Sequence, residues 1–170
     1  MEGRTRVRPF LWGASRVIAE DAFENVQRFP MDTRAIFLPA LAMVALTFLV
    51  WCRLYVVRIA QIHRGRIDPQ AVATSAQAAA RLTDTRASDN FRNLFELPVL
   101  FYVAVGVIAI SGMGGAAALA LAWLFVVLRV VHSVIHCSYN RVMHRLFVHA
   151  SSTLVLWALW AVIGMELIRA

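Results

Sequence analysis

Apolar residues are concentrated in four stretches of the chain, and polar residues fill the segments between them. A membrane-spanning helix needs between about 17 and 25 mostly apolar residues to cross the hydrocarbon layer. Each of the four stretches meets this requirement. The pattern therefore predicts an all-α membrane protein, a four-transmembrane-helix bundle over residues 31–170 with spans at about 35–57, 94–110, 116–136 and 146–167.

The connections between the spans differ in length and composition. Residues 58–91 form a long loop, in which the alanine-rich stretch 71–82 predicts a short surface helix. Serine and glycine dominate residues 111–115, which is typical of a tight turn. The last connection, residues 137–145, is short and basic.

Residues 1–30 differ in composition from the rest of the chain and form a separate N-terminal extension. An arginine-rich start is followed by residues 17–29, whose apolar side chains fall on one helical face, as in an interfacial helix. Met31 directly precedes the first span and is an alternative start residue. The extension is therefore either an interfacial helix or a poorly ordered tail or start-site artefact, and the sequence leaves both interpretations open.

Composition agrees with a membrane solvent. Of the 170 residues 60% are hydrophobic and the mean hydropathy is +0.65, which is more apolar surface than one small soluble core can bury. All 17 basic residues are arginine, for a net charge of +7. This suits bidentate contacts with carboxylates, although a GC-rich genome produces the same bias. The arginines are scattered among apolar spans and form no basic face, which argues against nucleic acid as a partner.

Arginines near the span ends predict the orientation in the membrane, because cytoplasmic loops carry an excess of basic residues. The first and third connections carry the larger group: Arg58, Arg64, Arg66, Arg81, Arg86, Arg92, Arg141 and Arg145. The opposite side carries Arg34 and Arg169, with Arg16 and Arg28 in the extension. We expect the first and third connections to be cytoplasmic, both termini to face outward, and the membrane to be a bacterial inner membrane.

The two cysteines, Cys52 and Cys137, lie in different predicted spans. Neither belongs to a CxxC motif or to a cysteine and histidine spacing typical of zinc. We expect both to be packing residues, with neither a disulfide framework nor a metal site.

Charged side chains inside spans are costly and usually face the bundle interior, so they are the best pointers to function. One of them, Arg53, is close enough to its span end to snorkel. At the start of the second span, Arg92, Asn93 and Glu96 fall at helical spacings and predict one shared face. This face indicates either a ligand site, with Glu96 receiving an N–H, or an Arg92–Glu96 pair that fixes helix packing.

A second polar group, Arg129, His132 and His136, forms one stripe near the end of the third span. The histidines indicate a hydrogen-bonded packing pair, because no third ligand lies at a spacing that suits a metal. Arg129 lies too far from the helix end to snorkel easily, so it needs an anion, either Glu96 or a ligand carboxylate.

A third polar group opens the fourth span and consists of Asn140, Arg141, His144 and Arg145. All three groups are expected at one membrane depth on the same side. Because their arginines outnumber their one glutamate, the convergence predicts an anion-binding cleft near the cytoplasmic surface.

Together these features resemble the MAPEG family, membrane-associated proteins in eicosanoid and glutathione metabolism. The residues that carry the resemblance are Asn93-x-x-Glu96 followed by Pro98, and Arg129-x-x-His132 followed by Arg141 and Arg145, in addition to the four spans and the long basic first loop. The resemblance covers about residues 31–168 and looks closest to uncharacterised bacterial members over 90–102 and 132–145. It implies a homotrimer, surrounded by membrane lipids, that binds glutathione between adjacent subunits.

The resemblance also implies roles for individual residues. Arg145 is expected to stabilise the glutathione thiolate. The expected binding residues are Arg58, Arg92, Asn93, Glu96, Arg129, His132, His136 and Arg141. This set fits the ligand's chemistry, since glutathione carries two carboxylates and one ammonium, and a nearby guanidinium lowers a thiol pKa and populates the reactive thiolate.

Four positions depart from the family's glutathione-binding members. Histidines 136 and 149 stand where tyrosines are expected, and Leu146 stands where a serine is expected. Asp89 replaces an arginine, and its carboxylate repels the anionic tripeptide if it faces the cleft. The predicted glutathione site is therefore altered.

The function that we expect is that of a glutathione-dependent transferase or peroxidase acting on a lipophilic small-molecule electrophile that enters from the bilayer. The alternative is a non-catalytic membrane protein whose arginine and glutamate cluster binds an anionic lipid or another thiol, or stabilises the trimer. A transporter fits less well, because the four spans show no internal repeat.

Overall fold

The computed structural model describes residues 34–112 and 115–169. The N-terminal extension, with its alternative interpretations, lies outside the described residues, as do positions 113 and 114 of the predicted glycine turn. All regular structure in the described residues is helical. The helices are α1 (Phe37–Gly65), α2 (Ser75–Arg81), α3 (Arg86–Asn93), α4 (Leu97–Ser111), α5 (Ala116–Cys137) and α6 (Val142–Arg169), with a short 3-10 helix at Pro69–Val72.

Four helical segments of the described chain are long and apolar enough to cross a membrane. They are α1, the combined segment Arg86–Ser111 formed by α3 and α4, α5, and α6 as far as Ile168. The prediction of four spans is confirmed. All four spans extend past the predicted bounds, because hydropathy marks the apolar part of a helix and not where the helix itself ends. The clearest case is α1, which continues past residue 57 to Gly65 and ends where Arg66 adopts a left-handed conformation, φ 49°.

The second span is not one continuous helix, which corrects the sequence prediction. Helix α3 ends at Asn93 and α4 begins at Leu97, and between them Glu96 has non-helical dihedrals of φ −94° and ψ −95°. Pro98 explains the break, because proline has no N–H for the carbonyl of residue 94 and its ring clashes with that carbonyl in a helix. The expectation that Arg92, Asn93 and Glu96 share the face of one helix is therefore wrong.

The apolar core lies between α1, α4, α5 and α6. It is centred on the stacked rings of Phe101 and Phe125, whose centroids are 4.7 Å apart, with Met43 and Leu156 fully buried around them. Large apolar side chains also cover the outside of the bundle: Phe48, Leu49, Val56, Val127, Leu154 and Trp157 are all exposed. An apolar core inside an apolar exterior is what a bilayer solvent requires.

The long connection folds against the end of α1. Helix α2 begins with a capping box in which Thr74 and Gln77 each accept from the other's backbone N–H. Its Ala78, together with Val72 and Leu82, packs on apolar side chains near the end of α1. The short helix expected within residues 71–82 is confirmed. We call the part of the bundle formed by this connection, the first turns of α3 and the α5–α6 turn the polar end.

Two arginines bind the carbonyl end of α5. Arg53 of α1 donates from Nη2 to the Cys137 carbonyl at 2.6 Å, and Arg86 donates from Nη1 to the Ser138 carbonyl. Asp84 holds Arg86 in a two-pronged ion pair, with distances of 2.9 Å to Nε and 2.7 Å to Nη2. Unsatisfied carbonyls and the helix dipole make a helix C-terminus favourable for cations. Arg53 is itself exposed and directs its guanidinium to this helix end, so the expectation that it snorkels stays a prediction.

The Asp84–Arg86 pair gives a testable pH dependence. The Arg86 guanidinium, through its hydrogen bonds, holds the pKa of the Asp84 carboxyl below its usual value of 3.8. A lowered folded-state pKa contributes stability above the unfolded-state value, and this contribution is lost as the pH falls through the folded-state pKa. We expect Asp84→Asn to destabilise the protein at neutral pH by less than about 1 kcal/mol, since the pair is partly exposed.

Thermal unfolding of the wild type and of Asp84→Asn in detergent, from neutral pH down to about pH 3, measures this effect. The difference between the two proteins should shrink as the pH falls and vanish once Asp84 is protonated. A difference that stays constant with pH would mean that the substitution acts through something other than the ion pair.

Candidate functional site

A small cavity opens between the end of α3, the second half of α5 and the start of α6. Its volume is about 120 Å³, and its lining consists of Asn93, His132, Val142, Arg145, Leu146 and His149. Four of these six side chains carry polar nitrogen or oxygen atoms. We call this space the histidine cavity. It brings together residues from the three polar groups of the sequence.

Arg129 lies beside the histidine cavity and is completely buried, with 0% of its surface exposed. Its Nη2 donates to the Asn93 carbonyl at 2.6 Å, and its Nη1 lies 3.3 Å from Nδ1 of His149. The helix break before Pro98 interrupts the helical ladder at this point, so the Asn93 carbonyl accepts from a side chain. Nε of Arg129 is buried and has no hydrogen-bond partner in the described chain.

No carboxylate of the described residues forms an ion pair with Arg129. Glu96 is near enough to interact with it electrostatically, but lies exposed beyond the helix break. A buried cation held only by neutral acceptors is costly, because desolvation of the charge is not repaid by an opposite charge. The site therefore carries a positive charge suited to an anion.

Arg145, in the first turn of α6, adds a second cation to the cavity. Its Nη1 contacts Nε2 of His136 at 2.7 Å and Oδ1 of Asn140 at 2.9 Å. Both partners are neutral acceptors, and no carboxylate of the described chain pairs with Arg145. Arg145 thus lines the cavity and Arg129 contacts two of its lining residues, and neither guanidinium group has a carboxylate partner among the described residues.

Three histidine rings pack against one another beside the arginines. His132 is 1% exposed, and its ring centroid lies 5.6 Å from that of His136 and 5.4 Å from that of His149. Both ring nitrogens of His132 are buried without a partner in the described residues. The predicted contact between His132 and His136 exists, but it is an edge-to-face ring contact and not a hydrogen bond. Within the described chain, no group of three or more histidines, cysteines or carboxylates is arranged to hold a metal ion.

Arg58 and Arg92 do not reach the histidine cavity. They line a separate cavity of about 80 Å³ between the end of α1, α2 and α3, together with Asp89. Adjacent residues of a helix point about 100° apart, and for this reason Arg92 and Asn93 face different cavities. Asp89 accepts from Thr85 Oγ at 2.8 Å and lines this second cavity and not the histidine cavity, although it interacts electrostatically with His136. Arg141 is exposed on the turn before α6 and lines neither cavity.

Two residues that were not among the expected binding residues contact the arginines of the site. Asn140, a member of the third polar group, accepts from Arg145, and His149 contacts Arg129. Asn90 is fully buried, and its amide contacts Sγ of Cys137 at 3.5 Å and Oγ of Ser133 at 3.4 Å, which ties α3 to α5. Asn90 and Asn93 lie three residues apart on α3, and this helical spacing could have indicated from the sequence that Asn90 also faces the bundle interior. Cys137 is buried and Cys52 is half-buried, and both are free thiols.

An apolar groove lies on the flank of the bundle, next to the helix break. Its volume is about 530 Å³, and it is open at the side. Its lining residues come from α1 and the second span and are Val44, Thr47, Phe48, Trp51, Phe91, Leu94, Phe95 and Tyr102. The residues that line it are mostly apolar.

Four helices long and apolar enough to cross a membrane, enclosing an apolar core and covered by exposed apolar side chains, fit an integral membrane protein. The model of the MAPEG family matches residues 36–165, and the chain therefore belongs to the MAPEG family. Membership places it among membrane proteins of glutathione and eicosanoid metabolism and confirms the resemblance seen in the sequence. No match was found among curated proteins or among solved structures.

Proposed function

We propose that this protein is a glutathione-dependent membrane transferase or peroxidase that acts on lipophilic electrophiles. The observation that carries the proposal is the pair Arg129 and Arg145, one beside the histidine cavity and one lining it, which lack carboxylate partners in the described chain. Glutathione supplies two carboxylates, an ammonium and, when bound, a thiol nucleophile. The unpartnered Nε of the buried Arg129 fits a ligand carboxylate, since it is a donor left without an acceptor.

Each residue at the site has a part in this proposal. Arg129 binds a carboxylate, and Glu96, exposed beyond the helix break, receives the ammonium. Arg145 lies close to the thiol and lowers its pKa, which populates the thiolate that attacks the electrophile. His132 and His149 line the cavity and offer ring nitrogens to the remaining polar atoms of the tripeptide. The apolar groove beside the helix break accommodates the lipophilic substrate.

The proposal includes a homotrimer. A cavity of about 120 Å³ is too small for a whole tripeptide, which supports a ligand that extends beyond it to an adjacent protomer. The family's characterised members bind glutathione in this way. Arg58, Arg92 and the exposed Arg141 then contribute from the surface of the same or the adjacent protomer. The proposed orientation places the polar end on the cytoplasmic side of a bacterial inner membrane.

The competing candidate is a non-catalytic membrane protein whose arginines bind an anionic lipid or another thiol, or stabilise the trimer. The observation in its favour is the replacement of two expected tyrosines by His136 and His149, both of which are engaged with arginines. These contacts use polar atoms that a tyrosine would offer to the ligand.

Titration of the purified protein in detergent with glutathione tests the proposal. We expect saturable binding at or below millimolar glutathione, a rise in thiolate absorbance on binding, and conjugation of a generic electrophile. S-methylglutathione is the matched control, because it retains the carboxylates and ammonium but cannot form a thiolate. Absence of binding at millimolar glutathione contradicts the proposal, whereas binding without thiolate formation or turnover favours the non-catalytic candidate.

A further inference from the structure

The contacts of Arg145 determine the protonation of its partners. Nη1 of a guanidinium carries two hydrogens and no lone pair, so it donates to both Nε2 of His136 and Oδ1 of Asn140. His136 must then be neutral, with its proton on Nδ1. Both hydrogens of Nη1 are used, which leaves the N–H groups on Nε and Nη2 for a ligand at the cavity that Arg145 lines.

The turn between α5 and α6 fixes both acceptors. His136 lies in the last turn of α5, and its ring is 2% exposed. Asn140 has φ 47°, in the left-handed region that asparagine tolerates better than most residues, and its N–H donates to the Ile135 carbonyl at 2.9 Å. One residue in the last turn of α5 and one in the following turn thereby set the direction of the Arg145 guanidinium on α6.

The neutrality of both acceptors distinguishes Arg145 from Arg86 at the same end of the bundle. Arg86 is held by the carboxylate of Asp84, which fixes its geometry and cancels its charge, and it binds a backbone carbonyl. A neutral imidazole and a neutral amide also fix the geometry of Arg145 but leave its charge in place. Only an arginine of the second kind can strongly stabilise a thiolate, because charge attraction scales with the net charge that faces the ligand.

We infer that His136 and Asn140 are positioning residues that aim Arg145 into the histidine cavity while leaving its positive charge for the bound thiolate. This inference rests on the proposed function. It gives His136 a role different from that of the tyrosine expected at this position: its ring acts on the ligand through Arg145. It also makes Asn140 a determinant of the reaction, although its side chain need not touch the substrate.

Substitutions at Asn140 and His136 test the inference through glutathione thiolate formation as a function of pH. Asn140→Asp keeps the acceptor and the tolerated turn conformation but places a negative charge on Arg145. We expect thermal stability to be unchanged or raised, while the thiolate midpoint moves up and kcat falls about tenfold with little change in KM, the size of one hydrogen bond to a charged group. A purely structural role for Asn140 predicts no such separation of stability from thiolate formation.

His136→Phe removes the acceptor, and we expect the same loss of thiolate, whereas His136→Gln keeps a neutral acceptor and should restore most of it. Tyr139→Phe is the matched control, since Tyr139 is exposed on the same turn and its hydroxyl contacts only His144 among the described residues. The inference is overturned if the wild type forms thiolate and both variants, Asn140→Asp and His136→Phe, form it to within twofold of the wild-type amount.

Absence of thiolate in the wild type would contradict the proposed function. Nitrogen NMR of histidine-labelled protein tests the positioning role even in that case. We expect His136 to show an unprotonated, hydrogen-bonded Nε2, and this signal to change in Arg145→Met. A protonated Nε2, or a signal that does not respond to Arg145→Met, overturns the positioning role on structural grounds alone.

Discussion

Replacement of Arg145 by alanine should lower kcat for glutathione conjugation by about a hundredfold to a thousandfold, the usual cost of removing one preorganised group that stabilises a developing or bound anion. Arg145 lines the histidine cavity with a charge that no carboxylate of the described chain neutralises. Its loss leaves the bound thiol with a pKa near that of free glutathione, so little thiolate exists at neutral pH. Thiolate absorbance and single-turnover conjugation should therefore fall together.

The assembly should survive this substitution, because Arg145 is half-buried and its two partners are polar groups on the turn beside it. Size measurement in detergent checks this point. Arg64→Ala is the matched control, since it removes the same charge from an exposed position on α1 and should leave the rate within twofold. An Arg145→Ala protein that loses its assembly supports the non-catalytic candidate instead, and one that keeps full activity shows that Arg145 does not stabilise the thiolate.

The membrane spans were predictable from the sequence because hydropathy reports the solvent of each segment directly. The break in the second span was not predicted, although Pro98 was visible within it. Residues 94–110 are apolar apart from Glu96, so the mean hydropathy of the span does not show where the helical hydrogen bonds stop. Helix continuity depends on the N–H of residue 98 and the carbonyl of residue 94, and a count of apolar residues does not include that bond.

The candidate site was partly predictable for a similar reason. Arg129, His132 and His136 occupy one helix, and helical spacing correctly placed them on one side of α5. Helical spacing within one span does not predict contacts between different helices. Arg53 binds a carbonyl 84 residues further along the chain, and Arg92 faces a different cavity from its neighbour Asn93. Such partners depend on how the helices pack and rotate against each other, which one sequence does not specify by spacing.

The buried Arg129 gives the second large expected effect, which appears in ligand binding and not in the stability of the free protein. Arg129→Met replaces a buried, unpaired cation by an apolar side chain of similar length. The variant loses two hydrogen bonds but also avoids the desolvation of a charge, and these effects, each of about 1 to several kcal/mol, oppose one another. We therefore expect the ligand-free variant to unfold within a few degrees of the wild type.

Glutathione should stabilise the wild type and not Arg129→Met. A ligand at about a hundred times its Kd stabilises a folded protein by about 2.7 kcal/mol, and this increment should disappear with the carboxylate partner. Thermal unfolding with and without glutathione measures both quantities in one experiment. A variant that is strongly destabilised yet keeps the full ligand shift would show that Arg129 serves the fold and that the anion binds elsewhere.

Arg53→Met is the informative comparison, because it is the same substitution in a neighbouring span. Arg53 donates to the Cys137 carbonyl at the end of α5 and does not line the histidine cavity. Its loss leaves the Cys137 carbonyl without this donor and Arg86 as the remaining arginine at that helix end, so we expect lower stability with or without glutathione and a ligand shift that persists. The two arginines thus predict opposite patterns, and only a protein that uses Arg129 for an anionic ligand produces both.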